Sequence, residues 1–262
     1  MNTHDRQPAV AGIFYPGNPE SLQSSVLDYL QSENSSSHLP KAMIVPHAGF
    51  VYSGPVAGSA YASLKQLRDV ITRVVLLGPS HRVPLLGLAI STADRFMTPL
   101  GAIDIDRQSI EKISSLPQVH TLNEAHVMEH SLEVQLPFLQ LTLDQFELVP
   151  LVVGDASVED VSEVLELLWG DEETLVVISS DLSHYHDYQT AQKLDARTTR
   201  AIEALSYNDI HYEDACGRNP VNGLLEVARR KNLQVETIDL RNSGDTAGSK
   251  DQVVGYGAYL FY

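Results

Sequence analysis

The stretch AMIVPHAG, residues 42–49, decides the fold because a short apolar run ends directly at a histidine. A buried strand of an α/β protein is typically a short, continuous apolar run. Pro46 and Gly49 stop this run, and His47 stands between them. Functional groups in such folds gather at the carboxyl ends of the strands. The stretch therefore predicts a layered α/β protein with His47 at one edge of its central sheet.

The rest of the chain alternates between strand and helix patterns. Apolar, β-branched runs predict strands over residues 42–45, 73–78, 87–91, 102–105, 147–153, 174–179, 235–240 and 253–261. Helical patterns and caps predict one helix from Pro19 and others over 55–68, 107–115, 129–142, 157–169, 189–205 and 219–231. The alternation predicts a single domain, 1–262, with a largely parallel or mixed central sheet flanked by helices. We expect the last strand to be antiparallel or at an edge, and the serine-rich segment 31–40 to be a linker.

Composition excludes several classes of function. With 43% hydrophobic residues among 262, the chain can form a real core, and its net charge of −16 disfavours a surface that binds nucleic acid. No apolar segment approaches the ~20 residues of a membrane-spanning helix, and the start of the chain lacks the layout of a signal peptide. We therefore expect a cytoplasmic protein without nucleic-acid or membrane partners.

Histidines follow three of the predicted strands. One strand ends at His47, the next at His81, and a third is followed by Asp181, His184 and His186. A single loop histidine is commonly a surface residue or a hydrogen-bonded core residue. Parallel strands, however, bring their carboxyl ends to the same edge of a sheet, so three such strands predict a shared site.

Two imidazoles and one carboxylate are the ligands of non-haem Fe(II) oxygenases. His47 and His81 would supply the nitrogens. The glycine-containing loop 242–251 offers Asp245 as the carboxylate, although a turn aspartate more commonly binds its own backbone. Because the chain has one cysteine, Cys216, an internal disulfide and multi-cysteine metal sites are excluded.

A second group of residues matches the H-x-x-E-H pattern of inverted zinc proteases. It comprises His126, Glu129 and His130, and Pro137 follows soon after. Short patterns of this kind arise by chance. We prefer a solvated His126 before a helix that begins near Glu129, with His130 and Glu133 on a shared helix face.

Other catalytic patterns are weak. The chain contains no G-x-S-x-G elbow, no phosphate-binding G-x-x-x-x-G-K-[ST] loop and no G-x-G-x-x-G turn. Cys216 is either a reactive thiol before the helix that starts near Pro220 or, as is commoner, a small buried side chain. Tyr15 and Tyr52 either line a pocket or pack in the core.

Seven motifs, in order along the chain, resemble those of the Memo family, which is also labelled AmmeMemoRadiSam system protein B in prokaryotes. They are GIFYPGNPESL, VPHAGFVYSG, LLGPSH, TPLG, EHSLEVQLPFL, SSDLSHYH and VVGYGAYL. The resemblance extends from about Gly12 to the last strand. It implies a fold similar to that of class III extradiol dioxygenases.

The resemblance also implies a metal site. His47 and His81 fall on metal-ligand positions, and an ungapped count from the last strand places Asp245 where eukaryotic members have a cysteine. The expected cofactor is a divalent transition metal, Fe(II) first, with zinc or copper as alternatives, because thiolate favours softer ions than carboxylate does.

Further site residues follow from the same motifs. Asp181 and His184 match family positions at which His184 would transfer protons with Asp181 orienting it, and His130 matches another motif histidine. We expect Tyr52 and Arg82 to contact the substrate.

The resemblance implies a mononuclear metal-binding protein with dioxygenase-like oxidoreductase activity on a small-molecule or peptide substrate. It also implies a pathway shared with an AMMECR-type protein and a radical SAM enzyme. The alternative is a non-enzymatic module that keeps the cleft to bind a peptide or partner protein, with Arg82 and Arg241 as the basic groups for an anionic peptide. A zinc protease is a third, weaker hypothesis.

Overall fold

The computed structural model describes residues 4–31 and 36–262, so residues 32–35 of the predicted linker lie outside the described residues. The strands are β1 (Asp5–Arg6), β2 (Ala42–Val45), β3 (Arg73–Pro79), β4 (Leu88–Ile90), β5 (Arg95–Thr98), β6 (Gly101–Asp104), β7 (Val119–Thr121), β8 (Glu147–Val153), β9 (Thr174–Ser179), β10 (His184–His186), β11 (Val235–Asn242) and β12 (Val253–Phe261). The α-helices are α1 (Pro19–Leu30), α2 (Phe50–Ala62), α3 (Arg107–Ile113), α4 (Glu124–Val127), α5 (Leu136–Thr142), α6 (Val158–Leu168), α7 (Tyr188–Glu203) and α8 (Arg218–Lys231).

The main sheet is mixed, with a parallel centre. In the described ranges its strand order is β10-β12-β2-β9-β3-β8-β4-β7, and β11 pairs with β12. The strands β2, β9, β3 and β8 run parallel, whereas β12 is antiparallel to β2 and to β11. The predicted α/β fold is therefore confirmed, and the last strand is antiparallel as expected but lies inside the sheet rather than at its edge.

The parallel centre is buried because its strands carry side chains that pack on both faces. All four residues of β2 and all six of β9 are buried, as a parallel sheet covered by helices requires. One hydrophobic cluster joins these strands to the flanking helices. A small sheet of β1, β5 and β6 packs beside them.

Capping residues fix the starts of two predicted helices. Asn18 accepts a hydrogen bond from the Ser21 amide at the start of α1, and Ser157 and Asp160 form a complete capping box on α6. Both starts confirm the predicted helices from Pro19 and over 157–169.

Other boundaries differ from the prediction. The helix expected from Pro55 begins five residues earlier, at Phe50, and Pro55 lies inside it. Pro55 leaves the Val51 carbonyl without its helical partner, and because Val51 is exposed, water can satisfy that carbonyl. The short strands β1, β5, β7 and β10 were not predicted, since two to four residues carry too little pattern.

The expected helix over residues 129–142 is wrong in its first half. Residues Glu133–Gln135 form a 3₁₀ turn and the α-helix starts at Leu136. Glu129 is the reason, since its carboxylate accepts the amides of His130 and Ser131 and holds them in a turn.

Within the described residues, no helix has the length and apolar character needed to cross a bilayer.

Candidate metal centre and cleft

Three adjacent parallel strands end on one side of the sheet and open into a cleft. Val45 at the end of β2 pairs with Ser179 at the end of β9, and β3 lies on the other side of β9. The segments after these strands carry His47, His81 and Asp181, which all line a cleft of about 1560 Å³. The predicted convergence of these three residues is therefore present in the structure.

His47 is fixed by the end of the neighbouring strand. Its side chain is buried, its Nδ1 lies 2.9 Å from the Ser179 hydroxyl, and its backbone N–H donates to Asp181 Oδ1 over 2.7 Å. These contacts leave Nε2 facing Cys216 Sγ at 3.4 Å. The backbone N–H of Asp181 also donates to that sulfur, over 3.3 Å.

His81 is oriented by Glu129. The Glu129 carboxylate accepts the His81 backbone N–H at 2.6 Å and lies 2.9 Å from its Nδ1. Burial alone would raise the pKa of Glu129, but these hydrogen bonds and the nearby imidazole bring the pKa down to about 2. A carboxylate that binds Nδ1 of a histidine typically directs the Nε2 of that ring toward a metal.

Two groups of side chains bring potential ligand atoms together. The first is His47, His81 and Cys216, and the second is His81, Glu129 and His130; within each group the atoms lie within 4.8 Å of one another. The Glu129 carboxylate already accepts amides of three residues, so it is a poor ligand. The first group, in which His47 Nε2 and Cys216 Sγ lie 3.4 Å apart, is the better candidate.

The first group fits a transition metal. Zinc sites have metal–sulfur distances near 2.3 Å and metal–nitrogen distances near 2.0–2.1 Å, which in a tetrahedron place sulfur and nitrogen about 3.5 Å apart. The observed separation of Cys216 Sγ and His47 Nε2 is 3.4 Å. Imidazole and thiolate are both ligands of iron, zinc and copper.

The electrostatics of His47 and Cys216 favour a bound cation. Burial is the main cause that lowers the pKa of His47 well below its ordinary value, and burial likewise raises the pKa of the Cys216 thiol. Both groups are therefore neutral when no cation is present, and a thiolate–imidazolium nucleophile pair is disfavoured. A cation would stabilise the Cys216 thiolate.

Asp181 and His184 both line the cleft, but Asp181 does not hold the His184 ring as we expected. The His184 Nδ1 lies 2.8 Å from the Leu182 carbonyl, so this carbonyl orients the ring. Asp181 instead binds the backbone of His47, and burial raises the pKa of Asp181. Within the described residues, His184 Nε2 makes no hydrogen bond.

His130 lies against the first group. Its ring stacks on His81 with 4.5 Å between centroids, and Phe14 covers it at 4.7 Å. Burial, followed by the nearby His81, lowers the pKa of His130 to about 4. Its Nδ1 is buried without a hydrogen bond, 3.4 Å from Glu129 Oε1.

The structure does not bring Asp245 to either group of ligand atoms. Asp245 is exposed, accepts the Tyr188 hydroxyl and the Asn242 amide, and closes a 3₁₀ turn. This is the turn-aspartate role described above as the commoner one. Tyr52 lines the cleft as expected, whereas Arg82 is exposed and outside its lining.

The protease pattern does not form a site. His126 is buried, not solvated as expected, and its Nε2 lies 3.0 Å from the Ala89 carbonyl. The helix α4 ends at Val127, so His126 and His130 do not share a helix face. Glu133 and His130 do not share a helix face either, because His130 lies outside the 3₁₀ turn Glu133–Gln135. The Glu133 carboxylate binds Arg6 and Tyr15 instead.

Cys216 and Glu129 were not predicted as site residues. Cys216 is the sole cysteine of the chain and stands just before a predicted helix, which was a usable signal. Glu129 was considered only as part of the protease pattern. Neither contact is encoded locally, since Cys216 lies 169 residues from His47 and Glu129 lies 48 residues from His81.

The fold and the cleft define a mixed α/β protein with a candidate metal centre at the carboxyl ends of parallel strands. A family model described as Memo-like protein matches residues 6–260. A MEMO1 family protein from Aquifex aeolicus is 36% identical over 98% of both chains, and one from Archaeoglobus fulgidus is 36% identical over 98% of this chain and 99% of its own. The chain therefore belongs to the Memo family.

A solved structure supports the fold. An uncharacterized protein from Escherichia coli K12 superposes with a TM-score of 0.51 and 14% sequence identity, covering 84% of this chain and 99% of the other. At this identity the similarity shows a shared fold and carries no information about activity.

Proposed function

We propose that this protein is a mononuclear metal-binding protein with an oxidoreductase activity that resembles dioxygenase chemistry. The observation that carries the proposal is the group of His47, His81 and Cys216, whose donor atoms lie within 4.8 Å of one another beside a large cleft. The substrate is a small molecule or a group on a peptide.

The donor atoms suit Fe(II), zinc or copper. Imidazole binds all three, and thiolate strengthens the preference for softer ions. Fe(II) remains our first candidate because the family resemblance implies oxygen chemistry. The metal, when bound, supplies a Lewis acid and, if it is iron or copper, a redox centre.

The remaining cleft residues position the substrate and move protons. His184 accepts or returns a proton at Nε2, because its Nδ1 is committed to the Leu182 carbonyl. His130, neutral near pH 7 because its pKa is lowered to about 4, packs beside His81 and limits water there. Tyr52 contacts the substrate from the wall of the cleft.

Elemental analysis of protein purified without oxygen or chelator tests the metal centre. We expect near one metal ion per chain in the intact protein, and its loss in His47→Ala, His81→Ala and Cys216→Ala. The Asp245→Ala variant is the control and keeps its metal, because Asp245 is exposed and belongs to neither group of ligand atoms. Full metal content in both histidine variants would exclude this centre. Oxygen uptake with catechols then tests the activity.

A non-enzymatic binding module is the second candidate. Large apolar side chains are exposed on the lining of the cleft, among them Leu86, Tyr185 and Tyr212, and such side chains favour contact with a peptide or a partner protein. This candidate predicts a peptide affinity that His47→Ala leaves unchanged and Arg82→Ala removes.

The family resemblance also supports a pathway shared with an AMMECR-type protein and a radical SAM enzyme, which co-purification from cells would test.

A further inference from the structure

Arg218 lies on the wall of the cleft, and no carboxylate of the described residues pairs with its guanidinium. It is the first residue of α8, stands two residues after Cys216 and is half-buried. Its Nε is buried and makes no hydrogen bond, and no ion pair joins its side chain to a carboxylate within residues 4–31 and 36–262. The cleft therefore contains a cation that the rest of the described chain does not neutralise.

An unpartnered buried donor is costly, by roughly 1–3 kcal/mol. Other arginines with buried or half-buried side chains are paired with carboxylates, including Arg6 with Glu133 and Arg73 with Asp106. Arg218 departs from this pattern, and it lines a cleft that a ligand can enter. A donor of this kind, facing a cleft, is typical of a group that binds a ligand.

The charges around Arg218 favour a single negative charge on the ligand. Arg218 is the sole arginine or lysine in the described lining of the cleft, where Asp155, Asp181 and Glu213 also lie. A dianionic phosphate would be repelled by these carboxylates and by the net charge of −16. The planar guanidinium instead matches one carboxylate, which it can bind through two parallel N–H donors.

The side chains beside Arg218 favour a flat apolar body. Tyr212 is 80% exposed, and the Arg218 Cζ lies 6.0 Å from the centroid of its ring. Tyr185 is 71% exposed, and its backbone takes a φ of 61°, which is unfavourable for a side chain of this size. Together with Tyr52, these rings offer flat faces on which an aromatic ligand can stack.

We infer that Arg218 is a substrate-binding residue that recognises the carboxylate of an aromatic acid in the cleft. The inference rests on the proposed function, because it names the substrate class of the site formed by His47, His81 and Cys216. The carboxylate binds the guanidinium, and the ring lies along the tyrosines.

Calorimetric titration of the metal-loaded full chain tests this inference with two matched probes, 4-hydroxybenzoate and the uncharged 4-hydroxybenzamide. We expect the acid to bind about tenfold to a hundredfold more tightly, as one charge-assisted pair supplies roughly 1.5–3 kcal/mol. Arg218→Met removes this preference, and Arg218→Lys restores part of it because the charge returns without the planar fork.

The control is Arg230→Met, which makes the same change of charge at the far end of α8. Arg230 is exposed, pairs with Glu166 and Glu226, and lies outside the lining of the cleft. We expect the Arg230→Met variant to keep the full preference for the acid over the amide. Circular dichroism shows whether each variant is folded, and the partial recovery in Arg218→Lys separates lost recognition from lost structure.

Several outcomes would overturn the inference. They are equal affinities for the acid and the amide in the intact protein, an unchanged preference in Arg218→Met, loss of the preference in Arg82→Met instead, or tighter binding of phenyl phosphate than of the acid. Metal analysis of the same samples keeps the two proposals apart. If the loading step leaves no metal on the chain and the preference for the acid still depends on Arg218, the metal centre is refuted and the anion site is supported.

Discussion

Cys216 and His47 meet in the cleft although 169 residues separate them in the sequence. Burial is the main cause of both pKa shifts, which keep the thiol protonated and the imidazole neutral. The cysteine must therefore release a proton when it becomes a metal ligand, whereas the histidine has none to release near pH 7.

We expect metal affinity to rise with pH, by about tenfold per pH unit between pH 6 and 8, because one thiol proton leaves on binding. The raised pKa of Cys216 lies above this whole range, and the lowered pKa of His47 lies below it. Competition with a chelator of known affinity at several pH values measures the slope. Cys216→Ser should bind more weakly and with a flatter profile, and a flat profile in the intact protein would contradict cysteine ligation.

Glu129 acts on the metal through His81. The Glu129→Gln substitution keeps the shape of the side chain but removes the charge that orients His81. Metal affinity should therefore fall about tenfold to a hundredfold. The same competition assay measures this loss. Glu166→Gln, a change at an exposed glutamate on α6, is the matched control and should bind metal normally. An unaltered affinity in Glu129→Gln would mean that the His81 ring does not depend on this carboxylate.

At the scale of elements, the backbone at the start of α8 closely contacts the end of β9. A Cβ added at Gly217 would lie 2.7 Å from Ser180 Cβ and 2.8 Å from the Ser179 carbonyl oxygen. Glycine is therefore needed here for close approach, and this approach places Cys216 and Arg218, on either side of Gly217, in the cleft.

Gly217→Ala should displace the start of α8 and lower both stability and metal affinity. Overpacking of this kind typically costs about 1–3 kcal/mol of unfolding free energy. Urea denaturation and the chelator competition measure the two effects. Gly49→Ala is the control, because its added Cβ would meet the Phe14 carbonyl oxygen at an ordinary 3.5 Å. Equal behaviour of the two variants would show that β9 and α8 can separate without cost.

The elements themselves were predictable where local signals agree. Asn18 and Ser157 cap their helices with their own side chains, so a few consecutive residues are enough to predict both helix starts. The turn at His130 was not predictable, because the carboxylate of Glu129 competes with the helix for the same amides.

Across the whole molecule, a buried ion pair ties the amino-terminal segment to the loop behind the cleft. Arg6 pairs with Glu133 and also donates to the carbonyls of His126 and Glu129, over 3.0 and 2.7 Å. Glu133 in turn accepts the Tyr15 hydroxyl at 2.6 Å. The first strand of the chain thus supports the loop that contains Glu129, the residue that orients His81.

Arg6→Met should destabilise the protein by about 3–5 kcal/mol, because it leaves the Glu133 carboxylate buried without its cation. Urea denaturation measures the change. Arg68→Met is the matched control, since the Arg68–Asp144 pair is 58% and 49% exposed and such pairs contribute about 1 kcal/mol or less. Similar losses in the two variants would show that the buried pair has no special role.

The sequence by itself determined the parallel centre of the sheet and the convergence of His47, His81 and Asp181, because apolar runs, breakers and the parallel arrangement are local or topological signals. The tertiary structure alone decided that Cys216, not Asp245, lies with the two histidines, and that Leu182 orients His184. Contacts between residues far apart in the chain depend on how helices and loops pack against the sheet, and no short stretch of sequence encodes that packing.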